Sequence, residues 1–260
     1  MDESLKADLD SVRNLLVSAT EYLNKLELYP RGAGVYLDAV VLAILSKSIR
    51  VAEAICLLVE REFHSEAFGL SRTMFELALS ARYISNADPF DRSRMFVDFY
   101  AKDHEGWTKL ISKYYPAAVP EFHPKHAQML EIAKELRDPH RWSGKSVKDL
   151  AMENDAFETL QNGSTFRWEY DYEVIYKWTS HYVHGTVVAV DEHATGPRQP
   201  FKVKGGPNVS KGDMALFNLV IYLNRSFIAA FRSINHEIAQ KMLDEFDAVL
   251  KKLVLSQTRT

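Results

Sequence analysis

Apolar residues recur at helical spacing along nearly the whole chain, and that property leaves few folds open. Ser4 to Glu27 carries Leu5, Leu9, Val12, Leu16, Ala19 and Leu23 on one stripe. It stops at Tyr29-Pro30-Arg31-Gly32-Ala33-Gly34, a run of helix breakers. Val35 to Phe63 reads as a central helix, apolar on most sides between Val40 and Leu45. A break near His64 precedes a third helix, Ala67 to Ile84. Asp88-Pro89 then supplies a cap and a first-turn proline for a fourth. Its stripe runs Phe96, Phe99, Tyr100, Trp107, Leu110, Ile111 and Tyr114, and Pro116 and Pro120 end it. His126 to Arg137 is shorter. Residues 139–165 read as irregular, with short helices around Val147–Leu150 and Ala156–Leu160. Tyr170 to Val183 is helical again, and Ser210 to Leu255 reads as one very long helix, straight or kinked.

The stretch from 187 to 207 departs from this pattern. Three prolines and three glycines fall between Gly196 and Pro207, beside the alternation Phe201-Lys202-Val203-Lys204. A loop or a small hairpin fits. The expected architecture is all-α: a bundle of long helices with one irregular excursion at about 187–207, forming a single domain over residues 1–260.

Composition narrows the function classes. Lys plus Arg number 32 and Asp plus Glu 35, a net charge of −3, without the basic excess of a dedicated nucleic-acid binder. One cysteine, Cys56, excludes an internal disulfide framework and fits a reducing compartment. The longest apolar run, Ala39 to Leu45, is far short of the roughly 18 residues that span a bilayer. The opening MDESLKADLD has no signal-peptide pattern. A cytoplasmic protein without a membrane segment is expected.

Standard catalytic motifs are missing. There is no Gly-x-Gly-x-x-Gly, Gly-x-Ser-x-Gly, His-Glu-x-x-His or Glu-x-x-His. Gly144-Lys145-Ser146 imitates the end of a phosphate-binding loop, but the required first glycine falls at Pro139. One cysteine cannot build a thiolate zinc site. No metal and no cofactor is expected.

Two polar clusters interrupt the apolar pattern. Between Ala67 and Ala81 the only charges are Arg72 and Glu76, four residues apart on one helix face with Phe68, Phe75, Leu79 and Tyr83. Such a pair is expected to be mostly buried. It either fixes helix packing or holds a guanidinium fork toward an anion. The second cluster is Lys177-Trp178-Thr179-Ser180-His181-Tyr182-Val183-His184-Gly185. Ser180, His181 and His184 share a face, and His184 sits at a helix C-terminus. The plain alternative is a solvated polar face. Asp103, on the aromatic stripe of the fourth helix, and the basic residues Arg198, Lys202, Lys204 and Lys211 are weaker candidates, better explained as solvent-facing.

Ser71-Arg72-Thr73-Met74-Phe75-Glu76-Leu77-Ala78, followed about a hundred residues later by Ser180-His181-Tyr182-Val183-His184-Gly185, resembles the bacterial family catalogued as domain of unknown function 5677. The resemblance implies an all-helical protein without an assigned activity, with Arg72, Glu76, Ser180 and His184 as a shared polar centre. A wider similarity is to helical nucleases of the HEPN type, found in toxin and phage-defence systems. Those carry Arg and His on one helix with four to six residues between them, and this chain has no such pair.

Three functions follow as expectations. The first is a binding module in which Arg72, Glu76, Ser180, His181 and His184 take a small anionic ligand or nucleotide. The second is metal-independent phosphodiester cleavage, with His184 as acid or base and Arg72 stabilising the phosphate. The third is a buried polar network that fixes packing in a homo-oligomer. The two clusters are expected to meet in space, because buried polar groups need partners.

Overall fold

The computed structural model describes residues 1–26, 35–118, 126–135, 141–162, 167–184, 186, 194–195, 202–203, 211–230 and 236–257. The protein is all-α. Its helices are α1 (Glu3–Asn24), α2 (Val35–Glu60), α3 (His64–Asn86), α4 (Pro89–Asp98), α5 (Tyr100–Tyr114), α6 (His126–Glu135), α7 (Val147–Asn162), α8 (Trp168–Asp171), α9 (Lys177–Val183), α10 (Gly212–Ala230) and α11 (His236–Gln257). A two-residue antiparallel pair, Ala194–Thr195 with Lys202–Val203, lies within the expected excursion. The rest of 187–207, including Arg198 and Lys204, lies outside the described residues, as does any covering of the bundle end by this segment.

The center of the bundle is α3, which packs most extensively against α10 and α2. Helix α1 lies on α2, and α11 closes against α10 and α1. The α1 stripe read from sequence is the buried one: Leu9, Val12, Leu16 and Ala19 are in the core. They meet a continuous interior that includes Leu45, Ile55, Phe68, Phe75, Leu219, Leu223 and Phe246. Asp2 starts α1 by accepting a hydrogen bond from the Leu5 amide at 2.7 Å. The α2–α3 break falls where it was expected, with Glu62 in the left-handed region at φ 62°. Among the described residues no helix is long and apolar enough to cross a membrane.

Three expectations need correction. The fourth helix is interrupted at Phe99, giving α4 and α5. Its aromatic stripe meets solvent: Tyr100, Trp107, Leu110 and Tyr114 are exposed, as is Asp103, whereas His104 is buried. Asp88 makes no side-chain cap; its backbone is left-handed at φ 41°. The region read as irregular contains one continuous helix, α7. A reciprocal cap holds its start: the Asp149 amide donates to Ser146 Oγ at 3.1 Å, and the Ser146 amide to the Asp149 carboxylate at 3.1 Å. That carboxylate occupies the helix start, so Gly144-Lys145-Ser146 leaves no seat there for a phosphate. The expected long C-terminal helix is described in two parts, α10 and α11; residues 231–235 between them lie outside the described set.

Candidate functional site

Helix α3 and the segment 168–184 run antiparallel, brought together by aromatic contacts. Phe68 meets Trp178 and Tyr182 edge-on, and near the other end Phe75 meets Trp168 and Tyr176. Close approach is possible because Gly69 faces α9: a methyl group built there would lie 3.5 Å from Tyr182 Cβ. Between α8 and α9 the chain takes one π-helical turn, Tyr172–Tyr176. Such turns redirect the side chains that follow them. Here Tyr172, Tyr176, Ser180 and His184 fall at steps of four. The rings of Tyr172 and Tyr176 stack at 5.1 Å. This row meets α3 at Arg72, which with Phe68, Glu76 and Ser80 forms a row also at steps of four.

Arg72 is where the rows join. Its Nη1 donates to His184 Nε2 at 2.7 Å, its Nη2 to Tyr176 Oη at 2.9 Å, and its Nε to Glu76 Oε1 at 3.2 Å. The guanidinium carbon also lies 4.7 Å from the centre of the Tyr176 ring. Arginine has no acceptor, so His184 Nε2 must accept and the ring proton sits on Nδ1. Burial raises the Tyr176 hydroxyl above its ordinary pKa, and the nearby Glu76 charge pushes the same way against Arg72.

The pair is formed, but it is not the buried pair expected. The Arg72 side chain is 21% exposed and Glu76 41%, and His184 is exposed. Both α3 residues sit where the two rows open toward solvent. Ser180 is half-buried, and its hydroxyl donates to the Tyr176 carbonyl at 2.6 Å. It therefore supports the tyrosine and makes no direct contact with Arg72. His181 departs from the expected set. It is exposed, its Nδ1 lies 3.1 Å from Thr186 Oγ1, and among the described residues nothing joins it to Arg72, Glu76 or His184. Its ring is instead engaged by Thr186, in the chain leaving α9. Tyr176 was not singled out from sequence. Its spacing of four before Ser180 and eight before His184 was the available signal.

A second polar cluster, also not anticipated, lies beneath. Glu158 is 2% exposed and Arg82 10%. One Glu158 oxygen accepts from Arg82 at 2.9 Å and from Trp168 Nε1 at 3.1 Å; the other lies 3.6 Å from Arg225 Nη1. Asp155 accepts from the Trp168 and Glu169 amides at 2.7 and 3.0 Å, capping α8. Tyr222 donates to Asp171 at 3.0 Å. Burial raises the Asp171 carboxyl to about 6, against the pull of the Tyr222 hydrogen bond and the Arg225 charge. Burial also lowers Arg225 and raises Tyr222.

Elsewhere, Lys211 lies over the rings of Tyr182, Trp178 and Phe68, and burial lowers its pKa. A concavity of about 480 Å³ lies between α1 and α2. It shares no residue with the Arg72–His184 edge. Its cysteine, Cys56, is buried and pushed up to about 12, a poor nucleophile. Among the described residues no three His, Cys, Asp or Glu side chains are grouped as metal ligands.

Fold and site define a helical protein with an arginine-centred polar edge between α3 and α9. A model of the family of unknown function DUF5677 matches residues 38–199, and the chain belongs to that family. The match spans both rows and the buried cluster except for Tyr222 and Arg225. No curated protein and no solved structure matches the chain.

Proposed function

We propose that the protein binds a small ligand through an anionic group, phosphate above all, held between Arg72 and His184. The contact that supports this is the 2.7 Å hydrogen bond from Arg72 Nη1 to His184 Nε2. It places a fixed donor and an exposed imidazole at the same point. Tyr176 and Glu76 hold the guanidinium from two other sides, so little ordering remains for a ligand to impose. An anion entering there replaces the imidazole as acceptor for Arg72. The ring nitrogen it releases can take a proton and donate to the same anion. Binding is thereby coupled to uptake of up to one proton. Titration calorimetry with inorganic phosphate, in two buffers of different ionisation enthalpy, tests this. Proton uptake is expected in the native protein, little or none in His184→Gln, and no binding in Arg72→Ala. Equal binding by Arg72→Ala would overturn the reading.

A second reading, phosphodiester cleavage, draws on the same contact. No Arg and His of suitable spacing share a helix, yet Arg72 and His184 meet from different helices. His184 would move the proton and Arg72 would steady the phosphate charge. A single-stranded RNA cleavage assay with native protein and His184→Ala decides it. Absence of His184-dependent cleavage removes this reading and leaves the first intact.

A further inference from the structure

Glu76 belongs to two places at once. Its Oε1 accepts from Arg72 at 3.2 Å, and its side chain also lines a separate cleft between α3 and residues 141–150, of about 250 Å³. We propose that the ligand of Arg72 and His184 carries a planar heteroaromatic ring, a nucleobase-like group, that seats in this cleft. The proposal rests on the anion-binding reading above and adds the chemistry of the rest of the ligand.

Size is the first argument. Clefts for whole drug-sized ligands run from about 300 to 1,000 Å³. This one is smaller, suited to one ring system and not to a ring with its sugar and phosphate. Leu79 and Leu150 supply apolar surface, and the wall is Trp142. That indole is held in place before any ligand arrives, since Tyr83 and Phe96 pack edge-on against it at 5.7 and 5.1 Å. A fixed indole beside aliphatic side chains favours a flat aromatic group.

Polarity is the second. Glu76, Ser80 and Ser143 put a carboxylate and two hydroxyls on the cleft. A carboxylate accepts N–H donors of a heterocycle and repels a second anion. Of the two cations on this wall, the one that reaches furthest along α7 already faces a carboxylate. Lys145 pairs with Glu153, and Arg141 is exposed. The anionic group is therefore directed past Glu76 to Arg72 and His184. Arg72 and Ser80 are eight residues apart on α3, about 12 Å along its axis. The ring and the anionic group must then be joined by a short linker, as in a mononucleotide.

Three probes test this by calorimetry on the full chain: inorganic phosphate, ribose 5-phosphate and adenosine 5′-monophosphate. The nucleotide is expected to bind at least tenfold tighter than ribose 5-phosphate, which lacks only the ring. Ser80→Phe, which fills the cleft, should bring the nucleotide down to the sugar phosphate while leaving phosphate binding unchanged; Ser80→Ala, which removes one of the two hydroxyls and leaves the cleft open, should weaken the nucleotide far less. The native comparison stands even if Ser80→Phe fails to fold. If the nucleotide and the sugar phosphate bind alike, the cleft assignment is overturned and the anion site survives. If none of the three binds, the anion site falls and this proposal falls with it.

Discussion

Two arginine–carboxylate clusters take their arginines from the same helix, α3, and they differ in what surrounds them. Arg82 and Glu158 are sealed in, with Trp168 and Arg225 completing the contacts. Arg72 and Glu76 stand at an opening, with an exposed histidine as third partner. A charge sealed from water must be matched by groups of the protein, so its environment is complete and nothing is left for a ligand to do. A charge at an opening has water as an alternative partner, and a ligand can take water's place. The contrast assigns structure to the first cluster and recognition to the second.

The sharpest way to break this contrast is to remove one carboxylate from each. Glu158→Ala removes the buried acceptor shared by Arg82 and the Trp168 N–H, and the carboxylate beside Arg225. It should destabilise by about 3–5 kcal/mol, the cost of breaking a buried pair on one side. Glu76→Ala should cost less than about 1 kcal/mol, as exposed pairs do. Urea denaturation of both variants reads the difference. Comparable losses would mean that the two clusters are not distinct in kind.

Asp171 sharpens the same contrast through pH. Burial raises its carboxyl to about 6 in the folded protein, from an ordinary 3.8. The folded state therefore holds the proton more tightly than the unfolded one between those values. Stability from this group is greatest below pH 4 and falls as pH rises through about 6, by about 2–3 kcal/mol. Asp171→Asn should remove that slope, which denaturation midpoints between pH 4 and 7 would show. A slope unchanged in Asp171→Asn would place the titration elsewhere.

At the opening, Arg72→Lys should change stability by less than about 1 kcal/mol. It keeps a positive charge but cannot reach His184, Tyr176 and Glu76 with one planar fork. Phosphate affinity should fall at least tenfold while the denaturation midpoint barely moves. A variant that binds as well as the native protein would show that charge alone matters at this edge.

Helix spacing made the α-class and most of the bundle legible, because an apolar stripe at that spacing has few other uses. The α1 stripe and the α2–α3 break at His64 are cases where local pattern and tertiary packing agree. Three features were not legible, each for a physical reason. Arg82 follows directly after the apolar stretch that drew attention to Arg72, and its partner Glu158 is remote in sequence. Local pattern cannot say which of two nearby arginines turns inward. The stripe of α5 looks like a core stripe, yet Trp107 is 57% exposed; periodicity reports amphipathicity and not which side meets the bundle. Tyr176 is placed by a π-helical turn, which a pattern read at a fixed helical period does not register. Arg72 and His184, by contrast, were suggested by composition: each is a polar group on a helix otherwise packed through aromatic residues.

The smallest effect concerns the packing that brings the two rows together. Gly69 is buried in α3 opposite α9. An added methyl group would meet Tyr182 Cβ at 3.5 Å and Val183 at 3.8 Å, ordinary van der Waals distances. Glycine inside a helix is less favourable than alanine by roughly 0.5–1 kcal/mol, since it loses more backbone freedom on folding. No left-handed backbone angle demands glycine here. Gly69→Ala should therefore stabilise the protein by about that amount and leave phosphate binding unchanged. Gly69→Val adds two methyl groups to a branched carbon already at contact distance, and should push α9 away from α3. Because Arg72 and His184 are donated by those two helices, the valine variant should lose phosphate affinity together with stability. If alanine weakens binding while stabilising the fold, the Arg72–His184 contact depends on a closer helix approach than the 3.5 Å spacing permits. If valine leaves binding intact, the anion is held by α3 alone and His184 has no part in it.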